Sequence, residues 1–178
     1  MADTKCVSLS LVELDGNEGV EVYEMLQRIG PDENAFNNEV NGMSFDQFQS
    51  WLDRQLEWAK GENLPVGYVR QWTYWLLEDD KPVGYGKLRE KITEKSRRFG
   101  GNIGFAIDPL SRGKGYGTIL FGMLLNEAPN KGIREIVSTV ERNNISSKLI
   151  HMKCGGKLIE ENEYRFIFDF SEVIRRSE

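Results

Sequence analysis

The sequence is poor in the residues that build metal and redox centres. It has two cysteines, Cys6 and Cys154, and a single histidine, His151. The cysteines stand far apart and in no metal or Cys-x-x-Cys spacing, so no metal site is expected and both thiols are read as free. Long apolar runs are missing too, and the opening Met1-Ala2-Asp3-Thr4 is polar. These absences give no membrane span and no secretory leader, and a cytoplasmic location is expected. Positive charge is not in excess: 23 Lys and Arg against 28 Asp and Glu leave a net charge of −5. That balance argues against nucleic acid as a partner and suits a cationic one such as an amine. No internal repeat and no low-complexity tract is present.

What is there fits one soluble domain over residues 1–178, with 39% hydrophobic and 29% charged residues and enough chain for a sizeable core. Val7 to Leu14 alternates and predicts a strand. Val20, Tyr23, Met25, Leu26 and Ile29 suit an amphipathic helix stopped by Gly30-Pro31. Pro31 to Met43 is polar and acidic and reads as a long loop, a lid or substrate wall by its length. Ser44-Phe45-Asp46-Gln47 is a capping-box pattern, and Phe45, Phe48, Leu52, Leu56 and Ala59 then form an expected core stripe flanked by Trp51 and Trp58. Gln71–Glu78 and Lys81–Leu88 read as an antiparallel hairpin about Asp79-Asp80. Arg89 to Gly101 is a charged, basic connection. Ile103–Ile107 predicts a strand, Ile119–Leu125 a buried helix, Ile133–Val140 a strand, and Asn143 to Lys153 a helix closed by Gly155-Gly156. Lys157–Ile159 and Tyr164–Phe170 are closing strands, and the tail from Ser171 is expected to fray. The order is strand, helix, helix, strand, strand, strand, helix, strand, helix, strand, strand. It predicts an α+β fold: a mixed, largely antiparallel twisted sheet with helices on both faces.

The chemistry concentrates in Asp108-Pro109-Leu110-Ser111-Arg112-Gly113-Lys114-Gly115-Tyr116-Gly117-Thr118. Asp108-Pro109 breaks the preceding strand. Gly113, Gly115 and Gly117 leave bare backbone at a helix start, where N–H groups and the helix dipole favour phosphate oxygens. Arg112 and Lys114 add positive charge. A Walker loop needs Gly-x-x-x-x-Gly-Lys-Ser/Thr, which is absent. A dinucleotide fold wants Gly-x-Gly-x-x-Gly after the first strand and an acid about 20 residues on. Glu141 would serve as that acid, but the third glycine comes one place early and the loop follows the chain's midpoint.

Arg112-Gly113-Lys114-Gly115-Tyr116-Gly117 matches the Arg/Gln-x-x-Gly-x-Gly/Ala signature, and here the chain resembles the GNAT family, the Gcn5-related N-acetyltransferases. The strand before Asp108-Pro109 and the segment Asn144-x-x-Ser147 ahead of Gly155-Gly156 resemble that family as well. The resemblance covers Asn102 to Phe168 by motif and implies the acyl-coenzyme A N-acyltransferase fold. It also implies acetyl coenzyme A as co-substrate, with an amine attacking its thioester directly in a ternary complex.

By that resemblance the backbone of Arg112, Gly113, Lys114, Gly115, Tyr116, Gly117 and Thr118 would hold the pyrophosphate. Phe105, Ala106 and Ile107 would bond the pantetheine arm along the strand edge, with an N–H near Ala106 or Ile107 facing the thioester oxygen. Asn144 and Ser147 would contact the cofactor, although Asn144 also reads as a helix N-cap. His151 falls where many members carry a tyrosine that protonates the leaving thiolate, and a partly charged histidine would be able to donate that proton. Glu141 is the nearest carboxylate for taking a proton from the amine, with Asp108 second. The acceptor is a small-molecule or peptide amine, and family members often pair as homodimers. The missing tyrosine leaves a second reading, a non-catalytic acyl-coenzyme A binding module on the same scaffold.

Overall fold

The computed structural model describes residues 7–98 and 100–176; Cys6 lies outside them, and Cys154 is a free thiol. The chain runs β1 (Leu9–Glu13), α1 (Val20–Arg28), β2 (Asp32–Glu33), β3 (Phe36–Asn37), α2 (Phe45–Lys60), β4 (Gln71–Glu78), β5 (Lys81–Arg89), α3 (Glu94–Arg98), β6 (Ile103–Ile107), α4 (Tyr116–Glu127), β7 (Val137–Glu141), α5 (Ile145–Lys153), β8 (Lys157–Glu161), β9 (Arg165–Asp169) and α6 (Ser171–Arg176). Short 3-10 turns cover Pro109–Ser111 and Ala128–Lys131. The expected order is present, with four additions. The loop after α1 contains the β2–β3 hairpin, the basic connection contains α3, and the tail folds as α6 with Ile174 fully buried. An apolar residue at 174 reaches the core and holds the segment down, which is why it does not fray.

Two antiparallel sheets carry the fold, β1-β4-β5-β6 and β7-β9-β8. Side chains on the first sheet alternate between two cores. Trp72, Tyr74, Leu88, Ile103 and Ile107 join α4 and the second sheet on one face. Trp75 and Tyr85 join Phe36, α1 and α2 on the other. Helix α2 begins at the expected capping box, Ser44 Oγ accepting from Gln47 N while Gln47 Oε1 accepts from Ser44 N. Its buried stripe is Phe48, Trp51, Leu52, Gln55 and Trp58. Phe48 and Leu52 are buried as expected, but the face is turned so that Trp51 and Trp58 point inward and Phe45 lies outside. The hairpin turn Asp79-Asp80 has positive φ at both residues, 46° and 66°, as a tight two-residue connection requires. Helix α4 packs closely on β5 because Gly84 and Gly86 carry no side chain: a Cβ there would come within 3.0 Å and 2.9 Å of Leu120 and Leu124. Leu120, Phe121, Leu124 and Leu125 are withdrawn from water on this helix, each contributing roughly 2 kcal/mol.

The two sheets meet at one joint. Asn102, just before β6, is fully buried. Its backbone N–H donates to Val137 O at 2.9 Å, its Oδ1 accepts from Val137 N at 2.9 Å, and its Nδ2 donates to Glu135 O at 2.7 Å. Gly101 bridges Ser138 beside it. Strands β6 and β7 thus touch where each begins, and they belong to different sheets beyond that point. A gap opens toward their far ends. Removing the side-chain amide leaves the buried Val137 N–H and the part-buried Glu135 C=O unmatched, so Asn102→Ala is expected to cost about 2–3 kcal/mol, read as a lower urea midpoint at unchanged m-value.

Candidate active site

The gap between β6 and β7 continues into a cleft of about 560 Å³, a volume typical of small-ligand sites. Phe105, Ala106, Ile107, Arg112, Gly113, Gly115, Tyr116, Gly117, Thr118, Asn144, Ser147 and His151 all line it. The expected donor-side residues are thus brought together, although they come from a strand, a loop and two helices. Lys114 and Glu141 are not among the lining residues.

One wall is the exposed edge of β6. Arg89 N donates to Asn102 O at 2.8 Å and Asp108 N to Val83 O at 3.0 Å, and the β5–β6 register runs unbroken between these pairs. The alternation of an antiparallel ladder then turns the backbone of Gly104 and Ala106 toward β5. Phe105 and Ile107 present their N–H groups to the other edge, where no strand pairs among the described residues. Ala106 accordingly lines the cleft without offering its amide to it. The Ile107 carbonyl is taken by Arg112 Nε at 3.1 Å.

The glycine loop forms the next wall. Gly113 and Gly115 have φ of +80° and +83°, and a Cβ at either would meet nothing within 4 Å. The loop therefore needs glycine for its backbone conformation, not for lack of space. Gly115 is the N-cap of α4, whose first turn leaves N–H groups without intrahelical acceptors. The two basic residues are held by carboxylates. Arg112 grips Glu33 through Nη1 at 2.7 Å and Nη2 at 2.8 Å, which holds the Glu33 carboxyl below its ordinary range. Lys114 lies 3.6 Å from Glu78, which also accepts the Tyr116 hydroxyl. Asp108 is buried in a bidentate pair with Arg28 of α1, at 2.7–3.1 Å, and accepts from Leu110 N. It caps the turn after β6 and is unavailable as a base.

The third wall is the β2–β3 hairpin, contributing Glu33, Asn34, Ala35 and Phe36. Asn34 and Ala35 sit at φ of 53° and 61°, and a left-handed alanine is sparsely populated, at a cost of order 1 kcal/mol. Buried Asn38 fastens the hairpin by donating to Leu26 O and Ile29 O at 2.7 Å and 2.8 Å.

At the floor, Asn144 caps α5, its Oδ1 accepting from Ser147 N at 3.0 Å. His151 is the buried residue of α5, its ring 4.5 Å from Phe121 and 5.2 Å from Phe168 between centroids. Its Nδ1 lies 2.7 Å from Ser147 O and its Nε2 2.7 Å from Ser138 Oγ. Burial pushes its pKa down to about 4, outweighing the opposing bond to the Ser147 carbonyl. The ring is therefore neutral near pH 7 and has no imidazolium proton for a departing thiolate, which corrects the expectation of a partly charged histidine. Glu141 sits 3.9 Å from Arg165 in a separate polar depression. Ser138, which lines the cleft, was not legible in the sequence, since a lone serine in a strand carries no signal of its partner on a distant helix.

A cleft between two splayed strands, with an unpaired strand edge leading to a glycine-rich helix start, defines an acyl-transferase type of fold. The family model described as "Acetyltransferase (GNAT) family" matches residues 34–155, and the chain belongs to that family of acetyl coenzyme A-dependent enzymes. No curated protein sequence matches it significantly. Solved structures do, at low identity. A GNAT-family acetyltransferase from Streptococcus pneumoniae aligns over 91% of this chain and 98% of its own, with TM-score 0.61 and 15% identity. The Salmonella typhimurium acetyltransferase that modifies the N-terminal serine of ribosomal protein L7/L12 aligns over 91% and 94%, with TM-score 0.64 and 13% identity. The spermidine/spermine N-acetyltransferase of Vibrio cholerae aligns over 96% and 100%, with TM-score 0.61 and 16% identity. Among the described residues no helix is long and apolar enough to cross a membrane.

Proposed function

We propose that the chain moves an acetyl group from acetyl coenzyme A to a primary amine by direct attack in the cleft. The observation that carries this reading is the continuity of the unpaired β6 edge with the N-terminus of α4, a peptide-like groove ending in an anion cradle. Structural neighbours described as N-acetyltransferases of a ribosomal protein and of spermidine or spermine support amines as acceptors. When bound, the donor supplies an activated thioester. The N–H groups from Gly113 to Gly117 would meet its pyrophosphate, Thr118 N–H being bonded to Gly115 O at 3.1 Å, with Arg112 and Lys114 at the rim. Ile107 N–H and then Phe105 N–H would follow the pantetheine arm away from the pyrophosphate, and Phe105 N–H, on the residue whose ring packs near His151, is our assignment for the thioester oxygen. Asn144 keeps its side-chain NH₂ for the donor while its oxygen caps α5, and Ser147 closes the floor.

On the acceptor side Glu33 is the carboxylate among the lining residues, and we assign it, in place of Glu141, to receive the ammonium. No protein acid is required for departure, because a thiol of pKa about 8.5 leaves readily as thiolate. A non-catalytic binding module would share the donor groove; release of free thiol on incubation with a panel of amines separates the two readings.

Coenzyme A is expected to raise the melting temperature, and NAD or ATP to leave it unchanged. Gly115→Glu places a side chain and a negative charge at the anion cradle, in space that the fold leaves open. It should weaken coenzyme A binding by roughly 100-fold or more while costing only about 1–2 kcal/mol for the left-handed backbone. Calorimetric titration and circular dichroism on the same sample check both halves.

A further inference from the structure

The cleft holds a pair of side chains that amine transfer, as assigned above, does not use. His151 Nδ1 lies 2.7 Å from the Ser147 carbonyl, which can only accept, so Nδ1 carries the ring proton. Nε2 is then the lone-pair nitrogen, and Ser138 Oγ, 2.7 Å away, donates its hydrogen to it. The ring is wedged between Phe121, Phe168 and Phe170, at centroid distances of 4.5, 5.2 and 5.7 Å, and keeps this orientation. Ser138 and His151 both line the cleft at its closed end, where Gly101 bridges Ser138. The same cleft is lined by Phe105 and Ile107, whose N–H groups point away from β5. A hydroxyl bonded to a neutral imidazole, an imidazole oriented by an acceptor, and unpaired amides in one cavity are the components of nucleophilic acyl transfer.

We propose that Ser138 and His151 act as a nucleophile and base, oriented by the Ser147 carbonyl, and give the protein a second, slower activity: hydrolysis of the acyl donor through an acyl-Ser138 ester. This rests on the reading that the cleft takes an acyl thioester. In the first step a bond forms between Ser138 Oγ and the acyl carbon while the carbon–sulfur bond breaks. The hydroxyl proton passes to His151 Nε2 and from there to the departing thiolate. In the second step water attacks the ester carbon and gives a proton to Nε2, which returns it to Ser138 Oγ as that bond breaks. The products are a carboxylic acid and a thiol, and the ring ends neutral. Burial makes the imidazolium costly and the orienting group is a carbonyl without charge, so the step is slow and an amine outruns it. The hydrolysis shows when no amine is present.

The test reads covalent labelling as well as turnover. The protein without donor is treated with a fluorophosphonate or with p-nitrophenyl acetate, and separately with acetyl coenzyme A in the absence of amine; peptide mass mapping locates the adduct. Wild type is expected to carry the label on Ser138. Ser138→Ala should carry none, and His151→Gln should label at least roughly 10-fold more slowly. Ser138→Cys should trap the acetyl group as a thioester cleavable by hydroxylamine, which keeps the test decisive if the alanine variant folds poorly. An unlabelled Ser138 in protein that still binds coenzyme A and acetylates amines overturns the pair and leaves the transferase reading intact. Failure to bind coenzyme A overturns the transferase reading instead, and fluorophosphonate labelling of Ser138 in that protein would still uphold the nucleophile.

Discussion

Gly101→Ala is expected to cost more than roughly 4 kcal/mol, a large part of the 5–15 kcal/mol that holds a domain folded. A Cβ at this position would lie 1.8 Å from Val137 O, 2.6 Å from Val137 C and 2.8 Å from Ser138 Cα. All three are backbone or Cα atoms, so no rotamer change relieves the overlap. Residue 101 also sits at φ +70°, which alone costs about 1–2 kcal/mol for a residue with a side chain. The rest comes from prying Val137 and Ser138 away, which breaks the bond from Asn102 N to Val137 O and opens the joint between the two sheets. Gly132→Ala is the control: its φ is +74° and nothing lies within 4 Å of its Cβ, so it isolates the conformational cost. Urea unfolding of both variants decides the matter. A Gly101→Ala midpoint no lower than that of Gly132→Ala would mean the joint yields freely and does not set the width of the cleft.

Elements fixed by neighbouring residues were readable from the sequence. The capping box at Ser44, the two-residue turn at Asp79-Asp80 and the glycine loop before α4 each depend on residues within a few positions of one another, and each is where the pattern puts it. Features set by packing between distant segments were not. Nothing local distinguishes Phe45 from Trp51 on α2; the sheet decides which face is covered, and Trp51 meets Trp75 and Tyr85 there. Glu141 stands one residue past a buried strand position, but the divergence of β7 from β6 carries it to Arg165 and out of the cleft. His151 is a polar residue whose apolar surroundings come from α4, β9 and the segment after it. Its depressed basicity follows from those surroundings and not from its own helix. The donor side was therefore legible as a motif, and so were Asn144, Ser147 and His151 at the floor, while Ser138 and the apolar packing around His151 were not.

Stability is expected to rise with pH between about 7 and 10.5, because of Lys87. This lysine is buried on β5 and points its Nζ at Asn37 O, 2.6 Å away, between the rings of Phe36 and Tyr85. Burial pushes its pKa down to about 7; Arg89 adds to the shift and Glu39 opposes it. Below pH 7 the amine is charged in the folded and unfolded chains alike, and the desolvation cost is carried in full. Between 7 and 10.5 the unfolded chain holds the proton and the folded chain does not, so stability increases by about 1.4 kcal/mol per pH unit, approaching 5 kcal/mol across the window. Lys87→Met removes the titrating group. The difference in unfolding free energy between wild type and variant should therefore climb with this slope from pH 7 to 9, and a flat difference would show that the amine stays charged inside the fold. The lysine also links stability to the site, since Phe36 lines the cleft and Asn37 is its neighbour in the hairpin. The methionine variant frees the Asn37 carbonyl and loosens that wall, so its KM for the amine should rise more than its KM for acetyl coenzyme A, which the β6 edge and the glycine loop would hold.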